Sequence, residues 1–161
     1  MRSVRLNDAH DLTSFDCGVD ELSTWLHRYA HHAHSAGTAN TFVWTRNGVV
    51  VAYYTLAAHS LVREMLPTKD ARGAPETIPA YIIGKLALDL SLRGQGRGEV
   101  LLWDAIERGV QGARDGAAAK LIVVDAKNAG AKRLYDAHMI PVMNDSSRFY
   151  IKISTAAKAL R

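Results

Sequence analysis

The chain has 161 residues, 48% of them hydrophobic and 22% charged, with a formal net charge of +4. Its single cysteine, Cys17, excludes a disulfide framework and a cysteine-rich zinc site. No apolar run approaches the roughly 18 residues of a membrane-spanning helix. The opening Met-Arg-Ser-Val-Arg is polar at once, so the expectation is one domain over residues 1–161, cytoplasmic and with no membrane partner. The positive excess falls entirely in residues 76–161. That fits an anionic ligand, or solvated basic helix faces.

Residues 19–35 read as a helix. Asp20 and Glu21 lie in its first turn, where negative charge suits the helix dipole. Leu22, Trp25, Leu26, Tyr29, Ala30 and Ala33 form one apolar stripe, and Gly37 ends the helix. His27, His31 and His34 fall on the opposite face and are expected to be exposed. Thr41–Arg46 and Val49–Ala57 flank Asn47-Gly48, a hairpin signal. Pro67–Pro79 reads as a long polar loop. Tyr81–Leu88 is nearly all apolar and reads as a buried strand. After the Gly-rich turn Arg93–Gly98 come a helix over Glu99–Arg114 and a short apolar strand over Leu121–Val124. A second helix over Ala129–His138 and an alternating strand over Arg148–Ile153 complete the chain. The pattern predicts a mixed α/β domain: an antiparallel first half, then strand–helix–strand–helix.

The strongest local signal is Arg93-Gly94-Gln95-Gly96-Arg97-Gly98. Glycines let the backbone turn sharply and approach a ligand closely. The free N–H groups of the following helix point at an anion, and two arginines add charge. A phosphate or pyrophosphate is the expected ligand. No Lys-Ser/Thr follows, so this is not a Walker A loop. The glycines alternate rather than spelling Gly-x-Gly-x-x-Gly, which disfavours a dinucleotide fold. His27, His31 and His34 share a face but lack a carboxylate or cysteine to complete a set, so no metal is expected.

Arg93-x-x-Gly96-x-Gly98 after a buried strand resembles the pyrophosphate loop of the GNAT family of N-acetyltransferases, which use acetyl-CoA. Downstream, Asn128-x-x-Ala131-x-x-x-Tyr135, with Leu134-Tyr135 in the aromatic pair, resembles that family's second motif. Phe15-Asp16-Cys17-Gly18, Thr41-Phe42-Val43, Ala52–Ala57, Ile78-Pro79 and Lys85–Asp89 resemble segments of one subgroup, the acetyltransferase toxins of bacterial toxin–antitoxin pairs. The family's usual Gly-Phe after Tyr-x-x-x is missing: Met139-Ile140 stands there. Lys85 stands where an arginine is commoner, keeping the charge without bidentate reach.

The resemblance implies a central mixed sheet flanked by helices, acetyl-CoA as acetyl donor, and no metal. It also implies transfer to the α-amine of an aminoacyl-tRNA, a DNA-binding antitoxin as partner, and a homodimer. Alternatives are an acetyltransferase for a small amine or protein, or a non-catalytic CoA-binding module. By the same resemblance, Leu86, Ala87 and Leu88 align the pantetheine arm through their backbone. Arg93, Gly94, Gln95, Gly96, Arg97 and Gly98 hold the pyrophosphate. Asn128 bonds the pantetheine arm or, on its own sequence context, caps the helix it precedes. Tyr135 is the general acid for the departing thiolate. A phenol near pKa 10 protonates a thiolate near 8.5 only where the site helps, so placement comes first. Arg28, Arg63, Lys69, Arg72 and Lys85 are candidates for RNA phosphates, where positive charge alone suffices.

Overall fold

Asn47 and Gly48 take φ of 53° and 79°, the left-handed pair that a tight two-residue hairpin requires. They join β2 (Asn40–Arg46) to β3 (Val49–Val62) in antiparallel register from Arg46↔Val49 to Asn40↔Leu56. A computed structural model describes all 161 residues. Its other strands are β1 (Val4–Arg5), β4 (Thr77–Leu88), β5 (Leu121–Asp125), β6 (Ile140–Val142) and β7 (Asp145–Lys152). The helices are α1 (Asp20–Ala36), α2 (Thr68–Ala71), α3 (Arg97–Asp115), α4 (Ala129–His138) and α5 (Ile153–Ala159). The seven strands form one mixed sheet in the order β1-β2-β3-β4-β5-β7-β6. The pair β4/β5 is parallel, and β1/β2, β2/β3, β5/β7 and β6/β7 are antiparallel. None of the helices is long and apolar enough to cross a membrane.

The chain gathers into two compact units, Met1–Ala57 with Gly84–Ala105, and Ala58–Ile83 with Ile106–Arg161. In the first, α1 buries Leu22, Leu26 and Ala30 against Phe15, Val43, Val50 and Tyr53. The Tyr53 hydroxyl donates to the Leu22 carbonyl at 2.7 Å, so the buried phenol is satisfied as burial demands. The apolar stripe is narrower than the sequence pattern suggests, since Tyr29 is 55% exposed. The histidine face is not simply solvated either. His27 Nε2 donates to the Phe15 carbonyl at 2.9 Å, and His34 Nδ1 accepts from the Thr41 N–H at 3.0 Å. His31 and His34 are half-buried. These side chains tether α1 to the flanking backbone.

In the second unit, Leu121, Val123 and Tyr150 on one sheet face pack under Leu66, Ala74 and Ile78. The segment read as a long loop is partly ordered: α2 occupies Thr68–Ala71 and β4 begins at Thr77. A buried carboxylate, Asp70, accepts from the Tyr150 hydroxyl and pairs with Lys152 Nζ at 3.2 Å. Burial alone would raise the Asp70 pKa, but the bonds from Tyr150 and Lys152 outweigh it and hold the group ionised. On the opposite face, Gly109 of α3 sits against Ile122, where an added Cβ would lie 2.9 Å from the isoleucine side chain. A larger residue there would require the Ile122 side chain to shift.

One side chain in the first unit gathers an unusual number of donors. The Asp104 carboxylate of α3 accepts from the Ser3 hydroxyl and the Ser3 N–H (3.0 Å), from the Tyr54 hydroxyl (2.6 Å) and from Trp44 Nε1 (3.2 Å). It thereby ties the N-terminus, β2 and β3 to α3. Burial pushes its pKa up, and the hydrogen bonds more than reverse this, leaving it below the ordinary 3.8. A carboxyl whose folded pKa is depressed stabilises fully above its unfolded pKa and loses that contribution as pH falls through the folded value. Asp104→Asn places an amide N–H2 against donors and is expected to cost about 2–3 kcal/mol near neutral pH. Urea midpoints of the two proteins should differ at pH 7 and converge toward pH 3; equal midpoints at pH 7 would refute the assignment.

Candidate active site

The β4/β5 ladder runs from Ala80↔Leu121 to Ile83↔Val124. β5 ends at Asp125, one residue further, while β4 continues to Leu88. The last residues of β4 therefore have no strand beside them on that side. Asp89 N–H bonds the Val51 carbonyl at 2.8 Å. Backbone groups alternate along a strand, so Ala87 also turns its backbone toward β3. Leu86 and Leu88 turn theirs the other way, where no strand accepts them. Of the three residues singled out there, two present free main-chain groups. The expected continuous burial is absent as well: within 81–88 only Ile83 and Ala87 are buried, and the rest are partly exposed. Past Ile83 the missing β5 neighbour leaves the strand edge open, whereas Tyr81 and Ile82 are partly exposed although they pair with β5.

A short turn at Leu90–Leu92 follows, with Asp89 accepting from the Ser91 N–H at 3.0 Å. The same carboxylate accepts from the Asp16 N–H at 2.9 Å, and Leu90 N–H bonds the Asp16 carbonyl at 2.8 Å. The loop is thus anchored before the glycines begin. Gly94 and Gly96 have φ of 74° and 69°, with open space where a Cβ would sit. Backbone conformation rather than crowding requires glycine here. The main chain is open on that side. Arg97 and Gly98 are the first residues of α3, so their N–H groups have no intrahelical acceptor and suit an anion. Two side chains of the loop also bond within the protein. The Arg93 guanidinium donates to the Cys17 carbonyl at 2.7 Å, and the Gln95 amide donates to the Ser91 carbonyl at 3.2 Å. Both brace the loop against the rest of the protein.

The second unit holds the other two residues. Asn128 is the N-cap of α4, its Oδ1 accepting from the Ala131 N–H at 2.8 Å. The capping alternative is therefore realised, which leaves the side-chain N–H2 for any ligand. Tyr135, about two turns on, is 3% exposed and packs edge-on against Phe149, with ring centroids 6.1 Å apart at 64°. Burial, then the negative charge of Asp125, pushes its phenol well above the ordinary value of 10. The sequence reading missed Asp125 and its partner Arg148. Nε and Nη2 of Arg148 donate to the two Asp125 oxygens at 2.7 and 2.9 Å, and Nη1 lies 3.3 Å from His59 Nε2. Nothing short-range links residues 59, 125 and 148 in the sequence.

The acetyltransferase (GNAT) family model matches residues 6–139. The chain belongs to this family. A tRNA-acetylating toxin of Mycobacterium tuberculosis is 37% identical to it over 131 residues, covering 81% of this chain and 78% of that protein. Two solved structures of the toxin AtaT also match. AtaT complexed with acetyl-methionyl-tRNAfMet superposes with a TM-score of 0.89 at 25% identity, over 99% of this chain and 98% of that one. A tyrosine-to-phenylalanine AtaT mutant, bound to the C-terminus of the antitoxin AtaR and acetyl-CoA, gives 0.84 at 25% identity, over 98% and 96%. As a GNAT protein the chain is an N-acetyltransferase.

The departures from the family pattern have structural answers. Where Gly-Phe is usual, Met139 closes α4 with its N–H on the Tyr135 carbonyl at 2.7 Å, in an extended conformation (φ −131°) that needs no glycine. Lys85 lies over the Trp25 ring, 4.5 Å from its centroid, and its N–H bonds Thr55 Oγ1 at 3.0 Å. Of the other basic candidates, Arg28 and Lys69 are exposed, while Arg63 donates to the Ala74 carbonyl at 3.1 Å. Arg63 and Arg72 line an open pocket of about 600 Å³ with Leu66, Pro67 and Met143.

The capping role of Asn128 has a simple test. Asn128→Asp keeps an acceptor at the N-cap and should leave the urea midpoint nearly unchanged. Asn128→Ala should lower stability by about 1 kcal/mol. Equal stability of the two variants would mean that the cap carries no weight.

Proposed function

We propose that this GNAT enzyme transfers acetyl from acetyl-CoA to the α-amine of an aminoacyl-tRNA, and so acts as a toxin on translation. The observation that carries the substrate is the 37% identity to a tRNA-acetylating toxin across 81% of the chain. The geometry supports the donor. Gly94 and Gly96 leave space against a loop whose backbone and following helix start suit a pyrophosphate. The free main-chain groups of Leu86 and Leu88 suit the amide-bearing pantetheine arm. Ala87 packs beneath them, and Arg93, Gln95, Arg97 and Gly98 shape the loop. The N–H2 of Asn128 offers one more donor to the arm.

In this reading Tyr135 is the general acid. The amine attacks the thioester carbonyl as the free base, the new N–C bond forms and the C–S bond breaks. The Tyr135 proton goes to the departing sulfur, and the proton of the new ammonium leaves to water. The raised phenol pKa keeps Tyr135 protonated throughout the neutral range, so it is always loaded. It gives up its proton only as negative charge develops on sulfur. The α-amine of an aminoacyl ester is less basic than a lysine side chain, and a free-base fraction is present near neutral pH without a dedicated base. The reading includes a DNA-binding antitoxin as partner and a homodimer as the working form. It places the enzyme in the cytoplasm, where charged tRNA is found. The AtaT structure with the AtaR C-terminus supports the antitoxin.

Two measurements test this. Labelled acetyl from acetyl-CoA should enter a total charged-tRNA pool at the aminoacyl end and not enter the same tRNA uncharged. Label on neither, with acetyl-CoA binding intact, would overturn the substrate and point to a small-molecule or protein amine. Tyr135→Phe should lose about 10²–10⁴-fold in turnover while binding acetyl-CoA as before. Full turnover in that variant would remove Tyr135 from the mechanism.

A further inference from the structure

Two imidazoles tie α1 to the backbone beside it, in opposite chemical roles. At the start of the helix, the His27 ring donates from Nε2 to the Phe15 carbonyl at 2.9 Å, because a carbonyl can only accept. At its end, the His34 ring accepts at Nδ1 from the Thr41 N–H at 3.0 Å, because a backbone amide N–H can only donate. The difference matters when a ring takes up a second proton. An imidazolium carries N–H on both nitrogens. The His27 bond survives that change, since its Nε2–H is already the donor. The His34 bond does not, since Nδ1–H then faces N–H. Thr41 is fully buried, so its amide has no water to turn to. Its Oγ1 also lacks a partner, and its carbonyl is committed to the Leu6 N–H at 2.9 Å. That bond continues the β1/β2 pairing beyond Arg5↔Phe42.

The groups around His34 favour its neutral form. Burial, then the charges of Arg5 on β1 and His31 one turn back on α1, hold its pKa below the ordinary 6.5. Arg5 is itself fixed, 5.6 Å over the Phe42 ring and donating to Asn40 Oδ1 at 3.4 Å. Asp8 lies 3.8 Å from His31 Nδ1. On the same segment as Asp8, His10 accepts the Asn7 N–H at Nδ1, at 3.0 Å, and burial and His31 lower its pKa too. A histidine whose folded pKa is depressed stabilises fully above its unfolded value and loses that contribution as pH falls through the folded one. We propose that His34 is an acid-released latch: protonation of its ring frees the Thr41 amide and the end of α1, while the His27 tether holds the start. The contacts that brace the glycine loop, Leu90 N–H on the Asp16 carbonyl and Arg93 on the Cys17 carbonyl, adjoin the His27 end. Mild acid therefore loosens one end of α1 and leaves that loop in place.

The test is hydrogen exchange of single backbone amides, read by NMR on the full chain from about pH 8 to about pH 5 and corrected for intrinsic exchange. Thr41 and Leu6 are expected to lose about tenfold in protection over that range, with the midpoint at which the His34 ring titrates. Leu22 and Ser23, whose N–H groups bond the Val19 carbonyl at the helix start, are expected to change by less than about twofold. A loss shared equally by all four amides is general acid destabilisation and overturns the proposal. So does a Thr41 amide that stays protected once His34 is charged, or a His34 ring that stays neutral down to about pH 5. His34→Gln supplies a carbonyl oxygen that accepts without titrating. Its Thr41 protection is expected to hold within about twofold over the same range. A fall of about tenfold in that variant overturns the proposal, because another group is then the sensor. Should His34→Gln fail to fold, the parent decides alone. Ring nitrogen shifts should show His34 Nδ1 without a proton at about pH 8, gaining one as Thr41 opens. A proton on Nδ1 from the start, or an opening whose midpoint departs from that of the ring, overturns the latch.

Discussion

The constraint on which the site depends is a difference in strand length. β4 runs to Leu88, whereas its parallel neighbour β5 stops at Asp125, level with Gly84 by the register of their ladder. Backbone N–H and C=O groups must be satisfied wherever they are buried. A strand end without a neighbour is therefore either solvated or bound to something that can replace the missing strand. Pantetheine, with its two amides, is chemically such a replacement. The sequence around this point is arranged to keep the overhang rigid. Asp89 fixes the residues on either side of it through Asp16 and Ser91, and Arg93 pins the Cys17 carbonyl. The glycine loop then leaves the strand in a set direction and delivers the start of α3.

Most of the polar side chains near this loop brace it rather than reach outward. That division suits the chemistry. A pyrophosphate can be bound by main-chain N–H groups and a helix start, which are already oriented by the fold and lose no rotamer freedom on binding. Long arginine side chains would have to be immobilised to do the same work. Arg93 and Gln95 already form hydrogen bonds within the protein, so part of that ordering cost is met in folding. The loop is thereby preorganised.

How much of this could be read beforehand depends on the range of the interaction. Local signals were legible. Asn47-Gly48 made a hairpin because both positions need positive φ, and α4 has the predicted bounds because Asn128 caps it and Met139 closes it. The glycine loop was legible because its residue types have few other uses after a strand. Long-range interactions were not. Ser3 meets Asp104, and Asp70 meets Tyr150, across separations that no periodicity records. β1 has only two residues and becomes a strand through its register with Val43 and Phe42. α5 lacks a strong apolar stripe, since Ser154 and Thr155 are exposed and only Ala156 is buried. The tyrosine's position in the motif was visible, but the partners of the charge beside it were not. His59 and Arg148 come together only when β3 and β7 lie in one sheet.

The carboxylates of Asp104, Asp70 and Asp125 are each fixed by more than one N–H or O–H group, and the donors differ in kind. Asp104 is held by two hydroxyls, an indole and a backbone N–H, all neutral. Its negative charge is stabilised but remains, and nothing in its surroundings is required to become anionic. Asp70 has one neutral donor, Tyr150, and the ammonium of Lys152. There the burden is visible: burial and the neighbouring carboxylate push the Tyr150 hydroxyl up, and that phenol serves purely as a hydrogen-bond donor. Asp125 is held by a guanidinium that reaches both oxygens. Of the three, Asp125 is the one whose negative charge, after burial, helps push the Tyr135 hydroxyl up. Neutral donors suffice where a carboxylate only has to hold elements together.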